Sequence, residues 1–333
     1  MQYRSLGKSG INASVVAFGS WVTGGGAPWG GKTDDAESIR AMHAAIDHGV
    51  NLIDTAPAYG FGHSETVVGK AIADRRSKVL IATKCGLRWE DTRGSKLKMF
   101  DGRQLYLSLR PDTIQIEIEQ SLSRLGVETI DLYQCHWPAI EPEKTPMEET
   151  MACLMKLKSE GKIRAIGVSN FSLEQIRQAD AAAELSSDQA RYSLLTRGLE
   201  DEILPYCVDR NIAMLAYQPL EQGLLTGKVT MDRQFKETET RGNPSWNPWF
   251  PPGPRRRVLD MLVGWKDLAE KYDCTLAQLT IAGTLAQRGV THVLCGARTA
   301  QQAIDNAHGG GLQLATEDVA RMRRDAEALG TPE

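Results

Sequence analysis

The chain has 333 residues, 41% hydrophobic and 24% charged, with Lys+Arg 39 against Asp+Glu 42 and a formal net charge of −3. That balance gives no basic field for nucleic acid or an anionic membrane, and no segment has the long uncharged run of a membrane helix. The six cysteines are scattered with no C-x-x-C pair, and Met1-Gln2-Tyr3-Arg4 is not an apolar signal core. A cytoplasmic protein with reduced thiols is expected.

Residues 4–13, turning at Gly7-Lys8-Ser9-Gly10, read as a short hairpin. Apolar runs follow at 15–20, 51–56, 79–84, 130–136, 163–169, 187–192, 212–218 and 292–297. Helical patterns lie between them. Residues 33–48 place Ile39, Met42 and Ile46 on one face, and residues 112–125 do the same with Ile114, Ile118, Leu122 and Leu125. Helix starts are marked at Thr33-Asp34, Ser64-Glu65, Pro111-Asp112 and Ser172. Eight strands with interposed helices predict an α/β fold, a (β/α)8 TIM barrel with an N-terminal β-hairpin and an extra C-terminal helix over 317–329. One domain spans residues 1–333. An open doubly wound sheet would need a Gly-rich strand–turn–helix fingerprint, which the sequence lacks. Three connections exceed a turn: 24–31 with Trp29, 87–110 with Trp89, and 229–254 with Trp246, Trp249 and Phe250. Each is expected on a binding face.

Polar residues gather where these strands end. Leu52-Ile53 delivers Asp54, with Tyr59 five residues later in a Pro-containing turn. The run 79–84 ends in Lys84 and the run 130–136 in His136. In a parallel barrel such strand ends converge on one face. The other histidines, His43, His48, His63, His292 and His308, have no ligand spacing, so no metal site is predicted.

Several blocks in this order resemble the aldo-keto reductases over nearly the full chain. They are the 51–56 run with Tyr59-Gly60 and Ser64-Glu65, Ala82-Thr83-Lys84, Ile130-Asp131-Leu132-Tyr133-Gln134 with His136-Trp137-Pro138, residues 161–171, and Gly223-Leu224-Leu225-Thr226-Gly227-Lys228. The bacterial reductases of inositol-catabolism operons are the subgroup most similar, and the potassium-channel β subunits are more distant.

The resemblance implies an oxidoreductase that interconverts a carbonyl and its alcohol by hydride transfer, and chemistry assigns roles to match. A free phenol, with a pKa of roughly 10, is a poor acid at neutral pH. Lys84 would lower it, Asp54 would hold Lys84 by an ion pair, and Tyr59 would be the general acid or base. His136 would hydrogen-bond the substrate carbonyl.

Cofactor residues follow from the same resemblance. Ser169, Asn170 and Gln189 are implied to clamp the nicotinamide carboxamide, and Tyr217 to stack on its ring. Gln218, Pro219, Leu220, Gly223, Gly227 and Lys228 would line the pyrophosphate. Gly296, Arg298, Thr299, Gln302, Asp305 and Asn306 would hold the adenosine end, and Gly19, Ser20 and Trp21 would close the site. Arg298 and Thr299 suit a 2′-phosphate, so NADPH (NADP) is expected, with NADH as the alternative. Trp21, Trp29, Trp89, Trp137 and Trp249 are the expected substrate wall, and Arg255-Arg256-Arg257 is read as a solvated helix start. The implied partner is a small-molecule carbonyl or alcohol, with no nucleic acid or membrane and with room for a homo-oligomer. Two rival functions are a channel-β-type regulatory subunit and a Schiff-base aldolase. The second is disfavoured because Asp54 would keep Lys84 charged.

Overall fold

The structure is a computed structural model that describes residues 1–29 and 31–332, with the Trp29 side chain outside the description. Strands β1 (Tyr3–Ser5) and β2 (Asn12–Ser14) pair antiparallel as the expected hairpin. Then β3 (Val16–Gly19), α1 (Asp35–Asp47), β4 (Leu52–Asp54), α2 (His63–Ile72) and β5 (Leu80–Cys85) begin the strand–helix alternation. After β5 come three short strands, β6 (Leu87–Arg88), β7 (Ser95–Phe100) and β8 (Arg103–Leu107). The alternation resumes with α3 (Pro111–Leu125), β9 (Ile130–Cys135), α4 (Met147–Ser159), β10 (Ile163–Ser169), α5 (Leu173–Ala182), β11 (Leu185–Arg191), α6 (Ile203–Asp209) and β12 (Ala213–Tyr217). It ends with α7 (Pro252–Gly264), α8 (Lys266–Lys271), α9 (Leu276–Leu285), β13 (Val290–Cys295), α10 (Ala300–Gly309) and α11 (Thr316–Ala328).

Eight parallel strands close in the order β10-β11-β12-β13-β3-β4-β5-β9, a (β/α)8 barrel. Local chemistry supports its helices. Asp34 caps α1 by accepting from the Glu37 N–H, and Ser172 and Thr275 form reciprocal capping boxes on α5 and α9. The expected C-terminal helix is α11. Its Met322 packs with Trp265 and Leu262 on the barrel's outside.

Strand alternation builds the interior in layers. Leu6, Ile11 and Ala13 from the hairpin region pack with Ala17, Leu52, Ala82, Leu132, Ala165 and Leu215 as one buried cluster, which plugs the end where the strands begin. Two residues further along the same strands the apolar positions give way to Asp54, Lys84, Gln134 and Tyr217. A period of two keeps these on the inward face. The barrel thus turns from apolar to polar towards the strand ends.

Within the expected 87–110 connection, β6, β8 and β7 form a separate antiparallel sheet. Its turn is Asp101-Gly102, both at positive φ (48° and 79°), joining the paired residues Phe100 and Arg103. An Asp-Gly pair with two positive φ values is the favoured two-residue hairpin turn.

Candidate active site

Asp54 is the last residue of β4, Lys84 stands on β5, and His136 directly follows β9. Tyr59 enters from a tight turn. Its N–H donates to the Ala56 carbonyl at 3.1 Å, and its own carbonyl accepts from the Ser64 N–H at 3.1 Å. The first loop leans on this turn so closely that a Cβ at Gly60 would lie 2.3 Å from the Gly24 carbonyl oxygen. Only glycine fits there.

Lys84 Nζ donates to Asp54 Oδ1 at 2.6 Å, to the Thr55 carbonyl at 2.9 Å and to the Tyr59 hydroxyl at 3.2 Å. Lys84 is 0% exposed and Asp54 2%. The Tyr59 and His136 rings meet edge to face with centroids 5.8 Å apart, and Trp21 lies 6.3 Å from Tyr59. The four residues expected to carry the chemistry are therefore together.

Their electrostatics depart from expectation in one respect. Burial pushes the Tyr59 phenol above its ordinary pKa and Asp54 adds to the rise, although the Lys84 ammonium pulls it down. Burial opposes the charge on Lys84, but Asp54 and Tyr59 outweigh it and hold the ammonium protonated above its ordinary range. A lysine held charged is no Schiff-base nucleophile. Burial, helped by Lys84, keeps the His136 imidazole well below its usual pKa, so it is neutral and can donate one N–H.

Around this centre, Ser169, Asn170, Gln189 and Tyr217 assemble as expected. Asn170, at φ 63°, donates to the His136 carbonyl at 3.0 Å and accepts from the Tyr217 hydroxyl at 2.8 Å. Gln189 Nε2 donates to Asp54 Oδ2 at 2.8 Å, a tie to the centre that the sequence did not suggest. Gly19 ends β3, and the Ser20 and Ser64 hydroxyls lie 2.8 Å apart.

After β12 the backbone is strained. Gln218, Glu221, Gln222 and Gly223 all have positive φ (58°, 45°, 51° and 97°), while Pro219 and Leu220 lie between them and Gly227 closes the stretch at 71°. Lys228 is exposed. Across from this segment, Thr299 caps α10, Gln302 accepts from the Arg298 N–H at 2.8 Å, and Asn306 donates to the Gly296 carbonyl at 3.2 Å. Asp305 accepts from Gln301. Partial burial pulls the Arg298 guanidinium below its ordinary pKa, and nearby Arg241 and Arg233 add to this against Glu239.

The 229–254 loop belongs to this side of the site. Arg191 donates to the Trp246 carbonyl at 2.6 Å and to Glu221 at 2.6 Å. The Thr240 hydroxyl reaches Gln222 Oε1 at 2.8 Å and the Pro28 carbonyl at 3.3 Å. Arg191 and Glu221 are thus the anchors of this strap. The one sequence sign of them is Ser193, where the resemblance's Gln-x-x-Tyr-Asn pattern has asparagine: its hydroxyl donates to Glu221 at 2.5 Å.

Trp249 does not form a substrate wall. It is 4% exposed and packs with Leu224, Leu225, Phe250, Val258 and Trp265, because the Pro-rich start of α7 carries the loop down the barrel's outside. Nor is Arg255 solvated. It is 7% exposed and donates to the Phe250 and Arg233 carbonyls at 2.8 Å each. Trp89 stands in an aromatic group that includes Phe61 (centroids 5.3 Å apart) and, from the β7–β8 hairpin, Phe100, 6.1 Å from Phe61. Arg103 lies 4.6 Å above the Phe61 ring. Trp137 is partly buried against the main core, and the side chain of Trp29 lies outside the described residues.

The residues fit a nicotinamide dinucleotide. Both amide atoms of Gln218, Gln222 Nε2, Arg241 Nε and Trp246 Nε1 are buried with no hydrogen-bond partner among the described residues. Most are N–H donors, set between the strained segment and the strap, as an anionic ligand requires.

Comparison with known proteins agrees with this geometry. The pattern described as the Aldo/keto reductase family matches residues 15–326. The NADH-specific methylglyoxal reductase of Escherichia coli (strain K12) is 42% identical, over 97% of this chain and 98% of that protein. Aldo-keto reductase YhdN of Bacillus subtilis (strain 168) is 40% identical over 96% and 91%. The solved structure of the glycerol dehydrogenase AKR11B4 from Gluconobacter oxydans superposes with a TM-score of 0.85 at 38% identity, covering 99% of this chain and 96% of that one.

Proposed function

The chain belongs to the aldo/keto reductase family, and on that premise we propose that it interconverts a small carbonyl compound and its alcohol, with Tyr59 as general acid and base. The observation that carries this is the Lys84 ammonium shared between Asp54 at 2.6 Å and the Tyr59 hydroxyl at 3.2 Å, beside a neutral His136.

When bound, the nicotinamide supplies hydride to the carbonyl carbon or takes it from the alcohol. Tyr59 gives its hydroxyl proton to the oxygen as alkoxide develops, and Lys84 stabilises the phenolate left behind. Asp54 keeps Lys84 in place and charged. His136 donates to the same oxygen and sets its angle, and exclusion of water from the buried site strengthens both contacts. In alcohol oxidation the proton returns to Tyr59.

NADPH is the preferred cofactor in this proposal, since Arg298, Arg233 and Arg241 gather where a 2′-phosphate would sit. The relative from Escherichia coli is NADH-specific by name, so NADH stays the alternative. The substrate is a small aldehyde, ketone or keto-sugar that fits beside Trp21, Trp89 and Trp137.

The test is steady-state reduction of 4-nitrobenzaldehyde and 9,10-phenanthrenequinone by wild type and Tyr59→Phe, with cofactor affinity measured by fluorescence. The variant should keep its cofactor affinity and lose about 10²–10⁴-fold in turnover. Wild-type turnover in Tyr59→Phe would remove Tyr59 from the mechanism. Tight cofactor binding without turnover in the wild type would favour a regulatory subunit of the potassium-channel β kind.

A further inference from the structure

Asp54 has partners besides Lys84. Its Oδ1 takes the ammonium, while Oδ2 accepts from Gln189 Nε2 at 2.8 Å and from Gln134 Nε2 at 3.3 Å. Gln189 Nε2 also lies 3.3 Å from Gln134 Oε1. An ionised carboxylate only accepts, so both amides must turn their nitrogens towards it. That requirement orients both side chains.

The barrel has room made for Gln134. In register it stands beside Lys84 on β5 and Gly167 on β10. A Cβ at 167 would lie 2.9 Å from Gln134 Cγ and 2.4 Å from Ser187 Oγ, so any larger residue there would displace the glutamine. Gln134 is 0% exposed, and an amide in that position is tolerated only if it is paired. The layer below, two residues back on the same strands, holds the apolar Leu132 and Ala165.

We propose that Gln134 is a positioning residue of the reaction: by pinning Oδ2 of Asp54 it keeps Oδ1 on Lys84, and Lys84 on the Tyr59 hydroxyl. The inference rests on Tyr59 acting as the general acid. Without the Gln134 amide, Gln189 alone holds Oδ2, so the Asp54 carboxylate is less firmly fixed about its terminal torsion and the Lys84 geometry loosens with it. The carboxylate also loses the positive end of an N–H dipole, so its negative potential at Tyr59 grows. Both changes make the phenol a weaker acid.

The experiment uses the full chain and three variants, Gln134→Met, Gln134→Glu and Tyr59→Phe. It measures cofactor affinity by fluorescence and carbonyl reduction from pH 6 to 11, on the order of the range that brackets a phenol. Gln134→Met keeps length and volume but has no donor. It should lower turnover about tenfold and move the high-pH fall in rate upward by about half a unit or more, with cofactor affinity unchanged. Gln134→Glu sets a second carboxylate beside Asp54 and should move the fall further. It also serves as the reporter if Gln134→Met does not fold. A rate loss with the pH profile in place, or one matched by weaker cofactor binding, would reduce Gln134 to packing and overturn the proposal. Tyr59→Phe separates the two ideas. An inactive Tyr59→Phe beside a Gln134→Met enzyme of wild-type profile sinks only the role of Gln134, whereas an active Tyr59→Phe removes the reading beneath it.

Discussion

Lys84 Nζ lies 3.2 Å from the Tyr59 hydroxyl, and the same ammonium is bound to Asp54 on its other side. Besides the Thr55 carbonyl, one cation therefore serves two ionisable oxygens of different basicity inside a buried layer. Asp54 takes the larger share of the charge, and what remains acts on the phenol against the burial that raises its pKa.

Removing that cation separates the two effects. In Lys84→Met the phenol loses the one group that pulls its pKa down, so the fall in carbonyl reduction at high pH should move upward. Alcohol oxidation should then begin only at higher pH, and turnover should drop by about 10²–10⁴-fold. Asp54 is left as a buried carboxylate without a cation, which costs on the order of 3–5 kcal/mol. Denaturant unfolding of the same variant checks that second consequence. A pH profile that stays in place would show that Lys84 does not tune Tyr59.

Trp249 is predicted to act on stability rather than on substrate choice. It is buried with Leu224, Phe250 and Trp265, and truncating a core aromatic costs about 3–5 kcal/mol. Trp249→Ala should lower the unfolding midpoint and leave the ratio of kcat/KM between bulky and small carbonyls unchanged. A changed ratio at wild-type stability would restore it to the substrate wall.

The barrel and the catalytic group were legible because both rest on local signals. Most barrel strands are short apolar runs, β11 being the polar exception, and Asp54, Lys84 and His136 are polar residues at the ends of such runs. The β7–β8 hairpin carried its own signal, Asp101-Gly102, inside a stretch read as a connection. Trp249 was misplaced because an aromatic in a long loop reads alike whether it faces a ligand or a neighbouring helix. Only tertiary packing distinguishes them. The ties of Gln134 and Gln189 to Asp54 are long-range in sequence, 80 and 135 residues apart, and no spacing rule reaches that far. The net rise of the Tyr59 pKa was hidden for a related reason. Burial outweighs the Lys84 charge, and burial is a property of the folded surroundings.

Asp188 should make stability fall with pH. It lies on β11 next to Gln189, is 0% exposed, and neither carboxylate oxygen has a partner among the described residues. Burial pushes its pKa up to about 8. Below an unfolded value near ~4 the carboxyl is protonated in both states, so its neutral form costs nothing relative to the unfolded chain. As pH rises from there, the unfolded chain ionises freely while the folded one must hold its proton. Stability then falls by at most about 1.4 kcal/mol per pH unit until the folded pKa is passed. Asp188→Asn cannot ionise and should be more stable than wild type at pH 8, with the gap closing towards pH 5. Urea unfolding at both pH values measures this, and a constant gap would mean that the Asp188 carboxyl is not raised above its unfolded value in the folded protein.

The last prediction concerns the cofactor. Arg298 stands at the start of α10 with Arg241 and Arg233 near enough to depress its pKa, and Glu239 is the opposing acid close by. Arg241 is paired with Glu239 at 2.7 Å, and a 2′-phosphate, a dianion matched to guanidinium forks, would add a second anion to this cationic corner. NADH offers only a hydroxyl at that position and gains no such charged contact. Wild type should therefore bind NADPH more tightly than NADH in fluorescence titrations. Arg298→Ala should lose about 1.5–3 kcal/mol of NADPH affinity, the range for a hydrogen bond to a charged group, while NADH binding stays nearly unchanged. The advantage of NADPH should also shrink as salt is raised, since partly exposed charges are screened. Equal affinities in the wild type would overturn the assignment, and tighter NADH binding would align this chain with the NADH-specific relative from Escherichia coli. A loss of both cofactors in Arg298→Ala would instead mean that Arg298 holds the strap and not the phosphate.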